Sequence, residues 1–373
     1  MSYNKVKKIL LTGGGTGGSV SPLLAIVDEI QNAKTLSVKG DTECQYDFLW
    51  LGTKDGPERE MVKKVGIEFK TIAGGKLRRY FSWKNFIDVF KVKIGFFQAI
   101  FIILKWKPGL VMSAGSFISV PVIWAAWLLR VKVLIHQQDA RPGLANKLMA
   151  PFADKITVTF KDSLMHYGKK ATWIGNPVRL SIDDCRLTIE KIKKYFNLDK
   201  GMPVVLMVGG GTGAKAINEL IYQSLDELVK FCQVVHVTGK NKKIQKHKNT
   251  KTNYYTYEFL DAQKMAGALR VADVVVSRCG LGLLTELSYL GKPSILIPMP
   301  DTHQEDNAKI FKEKEAAIVL DQSELTAEEF IDNIKKLLND KILRELLGKN
   351  ISDVMKKEAN ERMVKIVEHL VNK

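Results

Sequence analysis

The chain contains few of the residues from which disulfide and metal sites are built. Only four of its 373 residues are cysteines, and they are scattered without paired spacing. They are Cys44, Cys185, Cys232 and Cys279. This pattern predicts reduced thiols in a reducing compartment, without a disulfide framework or a metal cluster. We expect neither a metal nor a cofactor.

A long hydrophobic segment is also lacking. The most apolar stretch, residues 94–104, is flanked by lysines and falls short of the roughly 20 residues that a membrane-spanning helix needs. Residues 1–11 lack the apolar run and cleavage site of a signal peptide. We expect a soluble or peripheral protein that is not exported.

Acidic residues are too few to balance the basic ones. The chain has 57 Lys and Arg against 40 Asp and Glu, a formal net charge of +17. Such a surface attracts nucleotide phosphates, acidic lipid or nucleic acid. Because no nucleic-acid recognition motif accompanies the charge, we do not expect nucleic acid as a partner.

Basic residues are concentrated in one segment together with aromatic residues. Between Lys76 and Lys107 there are eight Lys and Arg and a single Asp, interleaved with aromatics such as Trp83 and Phe97. This combination is typical of an anionic lipid interface. A core helix over 94–106 with basic ends is the alternative, and both interpretations can hold in part.

Two glycine-rich turns divide the chain into similar halves. In residues 7–30 and again in residues 202–221, a glycine turn lies between an apolar run and a helical pattern. Each half of the chain is therefore predicted to begin its own βαβ unit. Further buried strands ending in polar or glycine residues are predicted in 46–56, 109–115, 131–139, 233–240, 254–260, 272–280 and 293–300. The pattern predicts two Rossmann-like domains that bind ligands at the carboxyl ends of their strands.

The first glycine turn does not favour NAD. Gly13, Gly15 and Gly18 satisfy G-x-G-x-x-G, which is weak evidence alone. A dinucleotide-binding domain would also carry an acid at the end of its second strand, whereas this strand ends at 51–53 with Leu-Gly-Thr.

Residues 272–308 carry a more specific pattern. A buried strand ends at Ser277 and Arg278, a glycine turn opens a helix at 280–284, and Glu286 lies in the first turns of that helix. Free amides at the helix start suit a diphosphate, and Glu286 could accept hydrogen bonds from both ribose hydroxyls. A plain turn, with Glu286 favouring the helix dipole, fits this pattern equally well.

Six segments, in order along the chain, together resemble the MurG-type N-acetylglucosaminyltransferases of glycosyltransferase family 28. They are 14–22, 136–147, 174–179, 208–218, 272–293 and 303–308. The resemblance implies an α/β GT-B fold in which two Rossmann-like domains face a central cleft. The implied acceptor and membrane domain is 1–178, with a C-terminal helix, 352–373, packing back on it. The implied UDP-sugar domain is 179–351.

The same resemblance implies an activity. Such an enzyme moves N-acetylglucosamine from UDP-GlcNAc, with inversion, to the 4-hydroxyl of lipid I. The product is lipid II for peptidoglycan. The protein would be peripheral at the cytoplasmic face of the bacterial cell membrane, on an anionic surface.

Carried over residue by residue, the resemblance also implies the substrate contacts. Arg179 and the turn 281–286 would hold UDP with Glu286 on the ribose, Leu260 would lie by the uracil, and residues 16–18 near the transferring centre. The full set is Thr16, Gly17, Gly18, Asp139, Arg179, Gly211, Leu260, Leu281, Gly282, Leu283, Leu284, Thr285, Glu286, Gln304 and Asn307, of which Gln304 and Asn307 would touch the donor sugar.

Three positions depart from the family pattern. Ser19 replaces a usual histidine, Gln137 occupies the usual carboxylate position, and Gly211 replaces a serine. Of the two candidate catalytic residues, Ser19 and Asp139, only Asp139 can be a base at neutral pH. In an extended segment it would project to the same side as Gln137. We predict Asp139 as the general base; the alternative is that it caps a helix beginning near 141–143.

Two other functions stay open. The chain could be a different UDP-sugar enzyme on this fold, such as a glycolipid glycosyltransferase or a UDP-GlcNAc 2-epimerase. An epimerase needs extra acid and base groups around the donor sugar, and no such set stands out. The substitutions at Ser19, Gln137 and Gly211 also leave open a non-catalytic, membrane-binding scaffold.

Overall fold

The computed structural model describes residues 6–15, 17–36, 45–75, 83–179, 188–209, 214–239 and 253–372. The chain divides into two compact units. The N-terminal unit comprises Met1–Arg179 and Lys356–Lys373, and the C-terminal unit comprises Leu180–Met355.

The described residues of the N-terminal unit form a seven-stranded parallel sheet in the order β3-β2-β1-β4-β5-β6-β7. Its strands are β1 (Lys7–Thr12), β2 (Tyr46–Gly52), β3 (Glu68–Thr71), β4 (Leu110–Ser113), β5 (Lys132–Gln137), β6 (Lys155–Val158) and β7 (Ala171–Trp173). Its first five helices are α1 (Ser21–Leu36), α2 (Glu58–Lys64), α3 (Trp83–Trp106), α4 (Ser119–Leu128) and α5 (Leu144–Met149). Three short 3-10 turns precede β6 or β7, at Ala150–Phe152, Lys161–His166 and Gly168–Lys170.

The apolar runs of this sheet are buried on both faces, as parallel sheets require. In β1, Ile9 and Leu11 pack on one face, whereas Leu10 packs on the other with buried residues of α3 and α4. Leu10 lies in register with Leu49 of β2 and Val111 of β4. Successive side chains of this apolar strand therefore pack into two hydrophobic cores, one on each face of the sheet.

The described residues of the C-terminal unit repeat this architecture with six parallel strands in the order β10-β9-β8-β11-β12-β13. The strands are β8 (Val204–Val208), β9 (Gln233–Val237), β10 (Tyr254–Tyr257), β11 (Val274–Ser277), β12 (Ser294–Leu296) and β13 (Ile318–Val319). The helices are α6 (Ile189–Tyr195), α7 (Lys215–Leu228), α8 (Ala262–Val271), α9 (Leu281–Leu290), α10 (His303–Glu313), α11 (Ala327–Asn339) and α12 (Lys341–Val354).

The last helix, α13 (Ala359–Asn372), belongs to the N-terminal unit. Met363, Val367 and Leu370 pack into the core beneath α1. The helix begins at Ala359 rather than at the predicted residue 352. The reason is that Met355, with φ −124° and ψ 147°, is extended and ends α12.

The prediction of two Rossmann-like α/β domains is confirmed by these two parallel sheets. None of the helices in the part of the chain that the structure describes is long and apolar enough to cross a membrane.

Candidate functional site

The start of α9 presents open backbone at the carboxyl edge of the C-terminal sheet. Gly280 is the N-cap and provides no side-chain hydrogen bond to the first amides of the helix. A Cβ atom added at Gly280 or Gly282 would meet nothing within 4 Å. Because free amides carry the positive end of the helix dipole, this start can bind an anion that approaches closely.

Glu286 lies one turn further along α9 and is half-buried. Burial raises the pKa of its carboxyl group to about 7. Among the described residues it makes no hydrogen bond or ion pair, so its oxygen atoms keep their acceptor capacity. This is the arrangement that a ligand with paired hydroxyl groups can use.

Gln304 and Asn307, both on α10, hold the loop that precedes α9. The Gln304 side-chain oxygen accepts hydrogen bonds from the amides of Cys279, over 3.3 Å, and Met299, over 3.1 Å. The Asn307 side chain is fully buried, and its amide donates to the Cys279 carbonyl oxygen. Both residues therefore shape the helix start, and their contact with a donor sugar stays a prediction.

Arg278 is a residue of this site whose role the sequence did not reveal. It is only 9% exposed, and its guanidinium donates to the carbonyl oxygens of Ile297 and Pro298 and to the Gln322 side chain. It forms no ion pair with any carboxylate of the described residues. A buried positive charge thus lies directly before the helix start, and the only sequence signal was an arginine at the end of an apolar strand.

The remaining predicted residues of this unit differ in exposure. Leu260, Leu281 and Leu284 are core residues, and the Thr285 hydroxyl donates to the Leu281 carbonyl oxygen within α9. Gly282 is exposed and Leu283 is half-buried. Predicted residues Gly211 and, in the N-terminal unit, Thr16 lie outside the described residues.

The first glycine turn of the N-terminal unit is held by side chains from other loops. The Trp50 indole donates to the Gly13 carbonyl oxygen over 3.0 Å, and the Ser116 hydroxyl donates to that of Gly14 over 2.8 Å. The candidate catalytic Ser19 is buried, and its hydroxyl donates to the same Gly14 oxygen over 3.4 Å. Gly17 is half-buried and Gly18 is exposed, so this part of the turn is open to a ligand.

Gln137 is buried, and its side chain connects three neighbouring segments by hydrogen bonds. Its side-chain oxygen accepts hydrogen bonds from Asn146, over 2.6 Å, and from the Tyr167 hydroxyl, over 2.8 Å. Its amide donates to the Asp139 carbonyl oxygen over 2.7 Å. Burial raises the pKa of Tyr167, which keeps this hydroxyl a neutral donor. Gln137 therefore fixes the loop that carries Asp139.

Asp139 lies beyond the end of β5 and is half-buried. Since β5 ends at Gln137, the strand alternation used to place the two side chains together does not extend to Asp139. The alternative that Asp139 caps the next helix is wrong, because α5 begins at Leu144 with Gly143 as its N-cap.

Arg179 belongs to the N-terminal unit, where its Nε lies 2.7 Å from Oδ2 of Asp28 on α1. Both side chains are partly exposed, so this pair is accessible to competing anions. The contact of Arg179 with UDP stays a prediction.

Family models match both halves of the chain. The model of the glycosyltransferase family 28 N-terminal domain matches residues 9–158, and that of the family 28 C-terminal domain matches residues 204–366. The chain belongs to glycosyltransferase family 28.

Curated relatives are similar to this chain over nearly its whole length. The chain is 36% identical over 368 residues to the UDP-N-acetylglucosamine--N-acetylmuramyl-(pentapeptide) pyrophosphoryl-undecaprenol N-acetylglucosamine transferase of Clostridium tetani, and the match covers 97% of this chain and 98% of that protein. The protein of the same name from Clostridium kluyveri is 37% identical over 337 residues, covering 89% of this chain and 91% of that protein.

Solved structures show the same fold at low sequence identity. MurG of Acinetobacter baumannii matches with a TM-score of 0.74 and 23% identity, covering 97% of this chain and 99% of that one. A UDP-GlcNAc 2-epimerase of Neisseria meningitidis matches with a TM-score of 0.70 and 14% identity, covering 97% and 100%. The fold is therefore that of the GT-B glycosyltransferases, and it does not by itself separate a transferase from an epimerase.

Proposed function

We propose that this protein transfers N-acetylglucosamine from UDP-GlcNAc to the 4-hydroxyl of lipid I, with inversion, and so makes lipid II for peptidoglycan. The observation that carries the proposal is the similarity along 97% of the chain to a relative named for this transfer. The epimerase alternative has support only from the fold, at 14% identity.

The helix start of α9 is the proposed UDP site. Three features support it: the open amides at Gly280 and Gly282, the buried charge of Arg278, and the unpaired carboxyl group of Glu286. The amides would hold the diphosphate and Glu286 would accept from the ribose hydroxyls. Leu260 remains the proposed neighbour of the uracil.

Asp139 is the proposed general base. Its carboxylate takes the proton of the acceptor 4-hydroxyl while the acceptor oxygen forms a bond to the anomeric carbon of the sugar. The bond from that carbon to the diphosphate breaks on the opposite face, and the electron pair leaves with UDP. Donors at the helix start then stabilise the charge that develops on the leaving diphosphate.

An anionic membrane surface is the proposed partner of α3. Phe90, Ile94, Phe97, Phe101 and Leu104 are all exposed, and their spacing of three and four residues places them on one helix face. Phe90, Phe97 and Phe101 are each more than 60% exposed.

The rest of α3 supports the same proposal. On its other side, Ala99 and Ile103 are buried in the core. Lys91, Lys93 and Lys105 are exposed along the helix. An apolar face with adjoining cations is typical of a helix that lies in the interface of an anionic bilayer, and this would place the enzyme peripherally at the cytoplasmic face.

The test is release of UDP from UDP-GlcNAc in the presence and absence of lipid I or a short-chain analogue. The proposal predicts release only with acceptor, and weaker use of UDP-glucose and UDP-galactose. Consumption of UDP-GlcNAc without acceptor would indicate hydrolysis or epimerisation instead. Vesicle binding without turnover would indicate a scaffold.

A further inference from the structure

Glu58 is a fully buried acidic residue at the first position of α2. Its Oε2 accepts a hydrogen bond from the Gly15 amide over 3.1 Å. Its Oε1 accepts from the Thr53 amide over 2.8 Å and from the Thr53 hydroxyl. One carboxylate thus joins the loop after β1 to the loop after β2, although Glu58 and Gly15 are 43 residues apart.

Glycines enclose this carboxylate at close range. A Cβ atom at Gly14 would lie 2.3 Å from Oε1 of Glu58, and one at Gly56 would lie 2.0 Å from Oε2. At Gly52 a Cβ would lie 3.2 Å from Cγ of Glu58 and 2.7 Å from the Phe69 ring. These three positions therefore leave room for the carboxylate only because they carry no side chain.

The carbonyl oxygens of the same turn are also taken. Trp50 donates to Gly13, and Ser116 donates to Gly14. Ser116 holds a left-handed backbone, with φ 95°, that ordinary residues adopt only at a cost of about 1–3 kcal/mol. The turn is thus fixed through both its donors and its acceptors before any substrate binds.

A glycine-rich turn before a helix usually directs its amides at a ligand anion. Here the Gly15 amide points at an internal carboxylate. We propose that Glu58 is a positioning residue, whose carboxylate occupies the position that a ligand anion would take in the first glycine turn. Gly15 then binds no substrate phosphate. The backbone of Gly17 and Gly18 is thereby fixed in the conformation that the reacting groups need. The functional part of this inference rests on the proposed transferase activity.

The test compares Glu58→Gln with Glu60→Gln. Glutamine keeps the shape of Glu58 but turns an amide toward the Gly15 or Thr53 donors. Glu60 is an exposed residue of the same helix turn, so its variant makes the same charge change without touching the glycine turn. Three quantities are measured: kcat with UDP-GlcNAc and acceptor, the Kd for UDP, and hydrogen exchange of a peptide that covers the glycine turn.

The expected result is selective. Glu58→Gln should lower kcat by about 10- to 100-fold, since small misplacements of aligned groups have effects of this size, while the Kd for UDP stays within about twofold. Exchange in the glycine turn should become faster in Glu58→Gln and remain at the wild-type rate in Glu60→Gln. Equal kcat in both variants, or parallel loss of UDP binding in Glu58→Gln, would overturn the positioning role.

Thr53→Val is a second variant for the case that Glu58→Gln does not fold. It removes the hydroxyl donor to Oε1 at a half-buried position and should still lower kcat and make hydrogen exchange in the glycine turn faster. Wild-type kcat and exchange in this variant would overturn the inference. If the wild-type enzyme shows no acceptor-dependent transfer, the proposed function fails. The exchange measurement still decides whether Glu58 holds the turn.

Discussion

The side-chain amide of Asn307 donates to the carbonyl oxygen of Cys279 over 3.2 Å. Cys279 is the residue directly before the N-cap of α9, so this bond fixes the direction in which the helix start faces. Gln304 binds the amide of the same residue. Gln304 and Asn307, which were predicted to contact the donor sugar, therefore hold the backbone segment that would bind the diphosphate.

Replacing Asn307 by Ala should weaken UDP binding. The variant leaves the Cys279 carbonyl without its buried donor, which costs about 1–3 kcal/mol of unfolding free energy, and it frees the helix start to move. Calorimetry with UDP and chemical unfolding measure the two effects. Lys309→Ala, at an exposed position of the same helix, is the matched control and should change neither. A stability loss without loss of UDP affinity would contradict the link between this bond and the donor site.

Glu286 should make UDP binding depend on pH. Its pKa is about 7 because it is buried, and ribose hydroxyls donate best to the carboxylate form. Binding should therefore release a proton near pH 7, and UDP affinity should fall as the pH drops below 7. Proton release is measured by calorimetry in buffers of different ionisation enthalpy. Glu286→Gln, which keeps the ionisation of UDP itself, should abolish this release; an unchanged release would contradict the assignment.

The fold could be predicted from the sequence because the signal is local. Apolar runs such as those of β1 and β8 end in glycine turns, and both turns and runs are visible in a few residues. β3, with the sequence Glu-Phe-Lys-Thr, was not predicted because it is short and half exposed. β13 has only two residues.

The site could be predicted only in part, because its bonds join distant segments. The turn before α9 was visible as a pattern. The hydrogen bonds that the Gly15 amide donates to Glu58 and that Arg278 donates to Gln322 connect residues 43 and 44 positions apart, and no local pattern indicates them. Gln137 shows the same limit. It stands where the family pattern has a carboxylate, but in the structure its side-chain oxygen accepts from Asn146 and its side-chain nitrogen donates to the Asp139 carbonyl oxygen.

Replacing Asp139 by Asn should lower transfer by about 10²- to 10⁴-fold, the usual contribution of a positioned base. The Kd for UDP should not change, because Asp139 acts on the acceptor hydroxyl. Single-turnover rates with saturating donor and acceptor measure the effect. Asp162→Asn, at an exposed acid of the same unit, is the control. A fall of less than about tenfold would remove Asp139 from the role of general base.

Mild acid should destabilise the N-terminal unit through His136, whereas in the C-terminal unit the raised pKa of Glu286, about 7, acts in the opposite direction and offsets His236. His136 and His236 are buried, and burial lowers the pKa of each to about 4. Their ring nitrogens face neutral partners: Asn176 and Thr157 for His136, and Asn218 and Tyr254 for His236. The unfolded chain binds protons below its ordinary histidine pKa, near 6.5, while the folded units do not until about pH 4.

The stability contributed by the neutral histidines is therefore present above pH 6.5 and lost as the pH falls toward 4. The slope is about 1.4 kcal/mol per pH unit for each histidine in that window. Urea unfolding at several pH values measures it, and His136→Gln should reduce the slope for the N-terminal unit. A flat profile of the N-terminal unit between pH 6.5 and 5 would show that His136 binds its proton equally well in the folded and the unfolded chain.

The exposed face of α3 should decide membrane binding without deciding catalysis. Phe97→Ser combined with Phe101→Ser removes two of the most exposed apolar side chains of the helix, while Ala99 and Ile103 keep its buried side intact. We expect the variant to lose binding to vesicles that contain phosphatidylglycerol and to keep wild-type turnover of a water-soluble acceptor analogue. Ile342→Ser, at an exposed apolar residue of α12, controls for the general effect of lowering surface hydrophobicity.

The lysines of α3 make a separate contribution that salt can reveal. Replacing Lys93 and Lys105 by Glu reverses two exposed charges of the helix and leaves Lys91 in its ion pair with the buried Asp88. The variant should weaken binding most at low ionic strength, because screening reduces the attraction between exposed charges. It should bind neutral vesicles as the wild type does, since the phenylalanines remain. Vesicle binding that survives both the phenylalanine and the lysine changes would show that α3 is not the membrane-binding helix.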